Sequence, residues 1–395
     1  MTRPGMTDPS LHALVDRHAD RMVALRRVLH RHPEPSWEEH ASTARVAGVL
    51  AEAGLKPTTV PGRPGLVAEV GEGEPVIAFR ADLDALPIDE QADLPYASEV
   101  PGMMHACGHD AHTAIAAGIA AVLAGSPPRA GTVRFVFQPA EEAMPGGAHE
   151  MVRRGTLDGV REILAFHVDP GIPAGTIGLR AGPITGASDR LRIEVVGPGG
   201  HTSRPHRTVD VVGALGRIAA ELPGLLQRSI DPRTPVTVVF GRVAAGSTDN
   251  VIPSRGELGG TVRLFDIDLW RSLPPIVEGL VGEIAAPLGA TAKVVYDQGH
   301  PPVVNDARVI EAVAAAAAPL LDPGAIVGTE QSLGAEDFSW YLEHVPGALV
   351  RLGAGVPGLE VDLHSAEFVL DEAAISVGML VGAASLRALL ERPAG

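Results

Sequence analysis

Apolar residues recur along this chain with two different periods, and the points where the period changes divide it. Between residues 9 and 31, Leu11, Leu14, Val15, Met22, Leu25 and Leu29 fall on one side of a 3.6-residue turn, and helical spacing returns over 38–54. Short unbroken apolar runs follow at Leu66–Val70, Val76–Phe79, Val133–Phe137 and Ile163–Val168. A helix rich in alanine and isoleucine is expected over 111–124. Strands that are apolar on both faces and alternate with helices predict a mostly parallel sheet covered on both sides.

From residue 189 the pattern is different. Leu191, Ile193 and Val195 alternate with Arg190, Arg192 and Glu194, the period of a half-buried strand. A helical stretch at 208–226, strands at Pro235–Val243 and Gly256–Leu264, a helix at 268–287 and a strand at Ala292–Tyr296 complete a β-α-β-β-α-β order, the ferredoxin-like plan. Glycine- and proline-rich stretches at 181–187 and 299–303 flank it. After 304 the chain resumes α/β character and closes in a helix at about 371–391. The fold class expected is therefore α/β. A three-layer domain with a mostly parallel sheet spans 1–186 and 299–395, interrupted by a ferredoxin-like α+β domain over 187–298.

Composition alters this picture little. A length of 395 residues favours two domains. The 46 glycines and 34 prolines are spread along the chain and read as tight turns. A net charge of −16 without any basic run argues against a nucleic-acid partner. Residues 1–10 carry no apolar core of signal-peptide length, and apolar runs such as Ala312–Leu321 are too short to span a bilayer. No membrane partner and a cytoplasmic location are expected. A single cysteine excludes an internal disulfide and is compatible with a reduced compartment.

That cysteine, Cys107, lies in His105-Ala106-Cys107-Gly108-His109-Asp110-Ala111-His112, among groups that bind metals or lower a thiol pKa. Further candidate ligands stand near predicted strand ends or in loops: Glu141 and Glu142 after the run ending at Gln138, His167 within Ala165–Val168, and His364 in a late loop. On an extended segment the adjacent glutamates would point to opposite sides, one toward a metal and one toward the attacking water as general base. Each group alone has an ordinary structural explanation; their co-occurrence in one chain is what points to metal-assisted hydrolysis. Other motifs fail: His149-Glu150 lacks the second histidine of a zincin helix, no C-x-x-C occurs, and there is no phosphate-binding loop or G-x-S-x-G elbow.

The segments Phe79–Pro87, Met104–Asp110, Phe137–Glu142, Phe166–Val168, Gly199–His206, Asp249–Pro253, Glu336–Ser339 and Leu363–Ser365 can be taken together. They resemble signatures of the M20 metallopeptidases, subfamily D, the amidohydrolases that include hippurate hydrolases, N-acyl-amino-acid amidohydrolases and indoleacetyl-amino-acid hydrolases. They cover almost the whole chain in the family's order. The resemblance implies two divalent metal ions per subunit (Zn, Mn, Ni or Co), with Cys107, His109, Glu142, His167 and His364 as ligands and Cys107 bridging. It implies Glu141 as general base and then acid, and Asp84 as support for a ligand imidazole. His201, on the inserted lid domain, would polarise the scissile carbonyl, often in the partner subunit. Asn250 and Arg263 lie near positions that resemble substrate-carboxylate contacts. Asp82 stands where other M20 branches carry a ligand histidine, and His105, His112 and His206 are read as non-ligands. The implied activity is hydrolysis of an N-acyl amino acid by a homodimer or higher homo-oligomer joined through the lid. Two alternatives stay open: a dipeptidase or carboxypeptidase, and a non-catalytic binding protein on the same scaffold.

Overall fold

A computed structural model describes residues 10–59 and 62–393. The expectation made for the first ten residues lies almost wholly outside this range. The chain forms two compact units. One comprises the residues up to Gly182, Asn305–Glu330 and the residues from Trp340 on; the other comprises Pro183–Val304 and Gln331–Ser339. The second unit thus takes in 331–339, which the sequence reading placed with the first.

In chain order the first unit opens with α1 (Leu11–Arg31), α2 (His40–Glu52), β1 (Thr58–Thr59), β2 (Leu66–Glu72), β3 (Val76–Asp82), α3 (His109–Gly125), β4 (Gly131–Gln138), α4 (Gly147–Arg153), β5 (Val160–Pro173) and β6 (Ile177–Leu179). The second unit holds β7 (Ser188–Val196), β8 (Gly200–His201), α5 (Val211–Ser229), β9 (Val236–Ala245), β10 (Val251–Ile252), β11 (Arg255–Leu264), α6 (Ile267–Ala285) and β12 (Thr291–His300). The first unit then resumes with α7 (Ala307–Ala317), β13 (Ile326–Gly328), β14 (Gly347–Gly355) and α8 (Ala373–Glu391).

The first unit is built on an eight-stranded sheet of order β1-β2-β4-β3-β5-β14-β6-β13. Its centre is parallel: β3 pairs β4 and β5, and β5 pairs β14 in the same direction. Antiparallel pairs occur at β1–β2, β2–β4 and β14–β6. Every residue of β3 is buried, as an apolar run covered on both faces requires. α3 is buried along almost its whole length, because its alanines let α1, α2 and α8 approach closely. By length and composition α8 is apolar enough to cross a bilayer, unlike the shorter runs singled out from sequence. Its apolar side chains, Ile375, Met379, Val381, Leu386 and Leu389 among them, are instead buried in the core of this unit.

The start of α3 is anchored by buried charge. Arg26 of α1 donates to the Asp110 carboxylate at 2.8 Å and to the Tyr96 hydroxyl at 2.9 Å, and His30 Nδ1 lies 2.8 Å from the same Asp110 oxygen. Burial opposes the charged form, but Arg26 and His30 outweigh it and hold the Asp110 carboxyl below the usual carboxylate range. Breaking such a pair would leave a buried charge uncompensated, at a cost of about 3–5 kcal/mol.

The second unit has the ferredoxin-like order expected: an antiparallel sheet β9-β11-β7-β12 with α5 and α6 packed on it. Buried Asp189 ties its elements together, accepting from the Trp270 indole at 3.0 Å, the Tyr296 hydroxyl at 2.8 Å and the Gly299 amide at 2.9 Å.

Candidate metal centre

The strand ends of the first unit gather a donor set. α3 begins at His109 itself, two residues earlier than its hydrophobic pattern showed, because Gly108 turns the chain into the helix with φ of 82°. A side chain there would be strained, and a Cβ would stand 2.3 Å from Val168 Cγ2. Cys107 and His109 are thereby presented on either side of a tight turn against the end of β5. His364 sits in a loop whose amide donates to the Ala106 carbonyl at 2.8 Å, one residue before Cys107.

The distances among these side chains are short. Cys107 Sγ lies 3.5 Å from His167 Nε2 and 3.3 Å from His364 Nε2. His364 Nε2 lies 3.3 Å from Glu142 Oε1, and His109 Nε2 lies 3.9 Å from both Glu142 Oε1 and Glu141 Oε2. Cys107, His109 and His167 form one group with donor atoms within 4.8 Å, and Cys107, Glu142 and His364 form another; the sulfur belongs to both. Cys107, His109, Glu141 and His167 are buried, Glu142 is half-buried and His364 is exposed, so the cluster opens to solvent at one edge.

Two atoms of the cluster, His109 Nε2 and Glu142 Oε1, are buried without a hydrogen bond. Folded proteins rarely leave such atoms unpaired, and at the centre of a thiol, three imidazoles and a carboxylate a divalent cation satisfies both. Burial pushes the Cys107 thiol up to about 12, so a thiolate there needs a positive charge beside it. The donor set therefore fits a metal.

The glutamate pair departs from the extended geometry expected for it. β4 ends at Gln138, Ala140 takes a φ of 54°, and Glu141–Pro145 run through bends. Both carboxylates consequently approach the same imidazole of His109. Asp84 holds this bend: Oδ1 accepts from the Glu141 amide at 3.0 Å and Oδ2 from the Glu142 amide at 2.9 Å. Ser36 donates to Asp84 Oδ2 at 2.7 Å, and His109 Nδ1 donates to the Asp84 backbone carbonyl at 2.9 Å, which aims Nε2 at the cluster. Among the described residues, the three non-glycines with positive φ are Trp37, Ala140 and His364; His364 belongs to this cluster and Ala140 directly precedes Glu141. Backbone held in this region is characteristic of functional sites.

Sequence reasoning missed Glu39. Its carboxylate is fully buried and accepts from the Ala140 amide at 2.7 Å, steadying the strained residue before Glu141. Burial, with Asp84 adding repulsion, pushes Glu39 up to about 8. Nothing in a lone glutamate beside α2 signals this. A carboxyl raised on folding contributes less to stability as pH rises from its unfolded value toward its folded one. In chelator-treated protein Glu39→Gln should therefore gain stability over wild type between pH 5 and 8.5, by an amount on the order of 4 kcal/mol. Urea unfolding at the two pH values tests this; a difference that does not change with pH would show Glu39 ionised throughout.

The remaining predicted residues lie in the second unit. His201 is exposed on β8, paired with Val251 of β10, and its Nδ1 accepts from the Ser203 amide at 3.1 Å. Asn250 is its neighbour, its carbonyl accepting from Thr202 at 3.2 Å. Arg263 of β11 donates to the Leu333 carbonyl at 2.5 Å.

Residues 78–388 match the profile of Peptidase family M20/M25/M40. The chain belongs to this family. Among M20 relatives, it is 41% identical over 363 residues to an N-acetylcysteine deacetylase of Bacillus subtilis, covering 90% of this chain and 93% of that protein. It is 44% identical over 361 residues to a Rhodococcus jostii protein provisionally named glutamate–cysteine ligase 2-3, covering 91% of this chain but only 45% of that protein's length. A crystal structure of a dinuclear metal-binding M20 peptidase from Bacillus subtilis superimposes with a TM-score of 0.83 at 38% identity, over 97% of this chain and 99% of the other.

Proposed function

We propose that this M20 protein is a metal-dependent amidohydrolase that cleaves N-acyl amino acids into a carboxylic acid and a free amine. The observation that carries the reading is the cluster itself: two buried, unbonded donor atoms, His109 Nε2 and Glu142 Oε1, facing each other beside the Glu141 carboxylate. The likeness to an N-acetylcysteine deacetylase supports the same substrate class. Cys107, His109, Glu142, His167 and His364 would hold two divalent ions, drawn from Zn, Mn, Ni or Co, with the Cys107 sulfur shared. Bound there, such ions acidify water and polarise the scissile carbonyl.

The chain's own groups do the rest. Glu141, buried and fixed through its amide by Asp84, takes the proton of the attacking water at its carboxylate and delivers it to the departing amine nitrogen. Asp84 also fixes the ring of His109. His201 is assigned the stabilisation of the carbonyl oxygen as negative charge develops there. Asn250 and Arg263 are assigned to the substrate carboxylate. The ferredoxin-like unit is assigned to a homodimer contact, and the enzyme to the cytoplasm, where the lone thiol stays reduced.

Kinetics on hippurate, N-acetylcysteine and a dipeptide, with zinc or manganese supplied, tests the reading. The acyl compounds should exceed the dipeptide in kcat/KM by at least about tenfold. The reverse order would identify a dipeptidase or carboxypeptidase. Metal binding without turnover of any of them would identify a binding protein.

A further inference from the structure

A side chain completes the sheet where β3 ends. β5 pairs β3 only from Val76↔Val160 to Arg80↔Ala165, while its other edge stays paired with β14 beyond His167 and Val168. The Val168 amide, on the β3 side, therefore has no strand carbonyl to bond. Its acceptor is Nε2 of His112, at 2.9 Å. An N–H group can bond only to a bare ring nitrogen, so the imidazole proton sits on Nδ1. From there it donates to Asp82 Oδ1 at 2.7 Å. Asp82 Oδ2 accepts from Arg80 at 2.6 Å, and Arg80 Nε donates to Gln138 Oε1 at 2.9 Å, reaching the end of the strand that carries the glutamate pair. Arg80, Asp82, His112 and Gln138 are all buried. Both nitrogens of His112 are engaged, so it has no lone pair left for a cation, and both oxygens of Asp82 carry a hydrogen bond, although both residues stand with His109 in a group of donor atoms within 4.8 Å.

We propose that His112, held in its Nδ1–H form by Asp82, is a positioning residue that caps the open edge of β5 at Val168 and so fixes His167 at the metal centre. The link is direct. His167 Nδ1 donates to the Val168 carbonyl at 2.7 Å, which turns Nε2 toward Cys107. The residue that orients the imidazole is thus itself held by His112. Without that acceptor a buried amide is left unpaired, and β5 is held at Val168 by its pairing with β14 alone. The proposal rests on the reading of the five-residue cluster as a metal centre.

The test compares two variants that separate the nitrogens of His112. The Gln carbonyl of His112→Gln reaches the place of Nε2 and accepts from Val168. The shorter amide of His112→Asn reaches only the place of Nδ1, bonding Asp82 and leaving Val168 unpaired. Zinc titration of the metal-free proteins should show two sites in wild type and both within about threefold in His112→Gln. In His112→Asn one site should weaken by about 10–100-fold, the usual effect of losing a group that orients a ligand. Long-range nitrogen-15 NMR of the zinc-loaded wild type should show His112 protonated at Nδ1 and bare at Nε2. Equal affinities in the two variants, or a His112 protonated at Nε2, would overturn the proposal. A wild type that takes up no stoichiometric zinc would overturn the metal-centre reading and the proposal with it.

Discussion

Glu141→Gln should lower kcat on an N-acyl amino acid by roughly 10³-fold, within the range that positioned acid–base groups supply, while metal content stays at the wild-type ratio. The reasoning starts from what the substitution leaves alone. Asp84 grips this residue through the backbone amide, at 3.0 Å, and grips its neighbour Glu142 in the same way. Neither bond involves the Glu141 side chain, so an isosteric amide leaves the bend and the Glu142 carboxylate in place. What disappears is a basic oxygen beside His109 Nε2, at 3.9 Å in the present structure. An amide cannot take a proton from water or carry it to the leaving amine. Steady-state kinetics with metal analysis of the same preparation separates the two effects. Retention of a tenth or more of the turnover would remove Glu141 from the proton-transfer role.

The sequence made some of this arrangement legible and hid the rest for physical reasons. β3 was readable because a strand covered on both faces must be apolar throughout, and Val76–Phe79 is. The ferredoxin-like unit was readable because β7 alternates with period two and its helices carry one apolar stripe each. The first turn of α3 was not, since Gly108 and His109 fit no hydrophobic period; what starts the helix there is a left-handed glycine packed on Val168. The bend at Glu141–Glu142 was hidden for a related reason. It depends on a strained Ala140 held by Glu39, a partner 101 residues away in sequence. His112 could be set aside as a non-ligand and the role of Asp82 stayed open, yet the partners that settle them come from β3 and β5, which only the folded sheet brings beside α3. Local periodicity reports which residues face a core. It carries no record of which polar atoms meet inside one.

Cys107→Ala should reduce bound metal from two equivalents to one or none and lower kcat/KM by at least about 100-fold. The sulfur is the one donor common to both groups of ligand atoms, within reach of His167 Nε2 on one side and His364 Nε2 on the other. Removing it takes a ligand from each cation position at once, whereas losing His364 alone would affect the open edge only. The deletion is small and its surroundings are well packed, so the fold should survive. A cavity of one sulfur atom costs about 1–2 kcal/mol, a modest part of a domain's stability. Cys107→Asp provides the control, because a carboxylate of similar size can also bridge two cations. It should recover metal binding in part, which a purely structural role for the thiol would not allow, since a carboxylate buried beside Glu142 without a cation would destabilise the protein. Metal-to-protein ratios measured after gel filtration decide the matter: a ratio unchanged in Cys107→Ala would mean that the sulfur packs beside the metal centre without belonging to it.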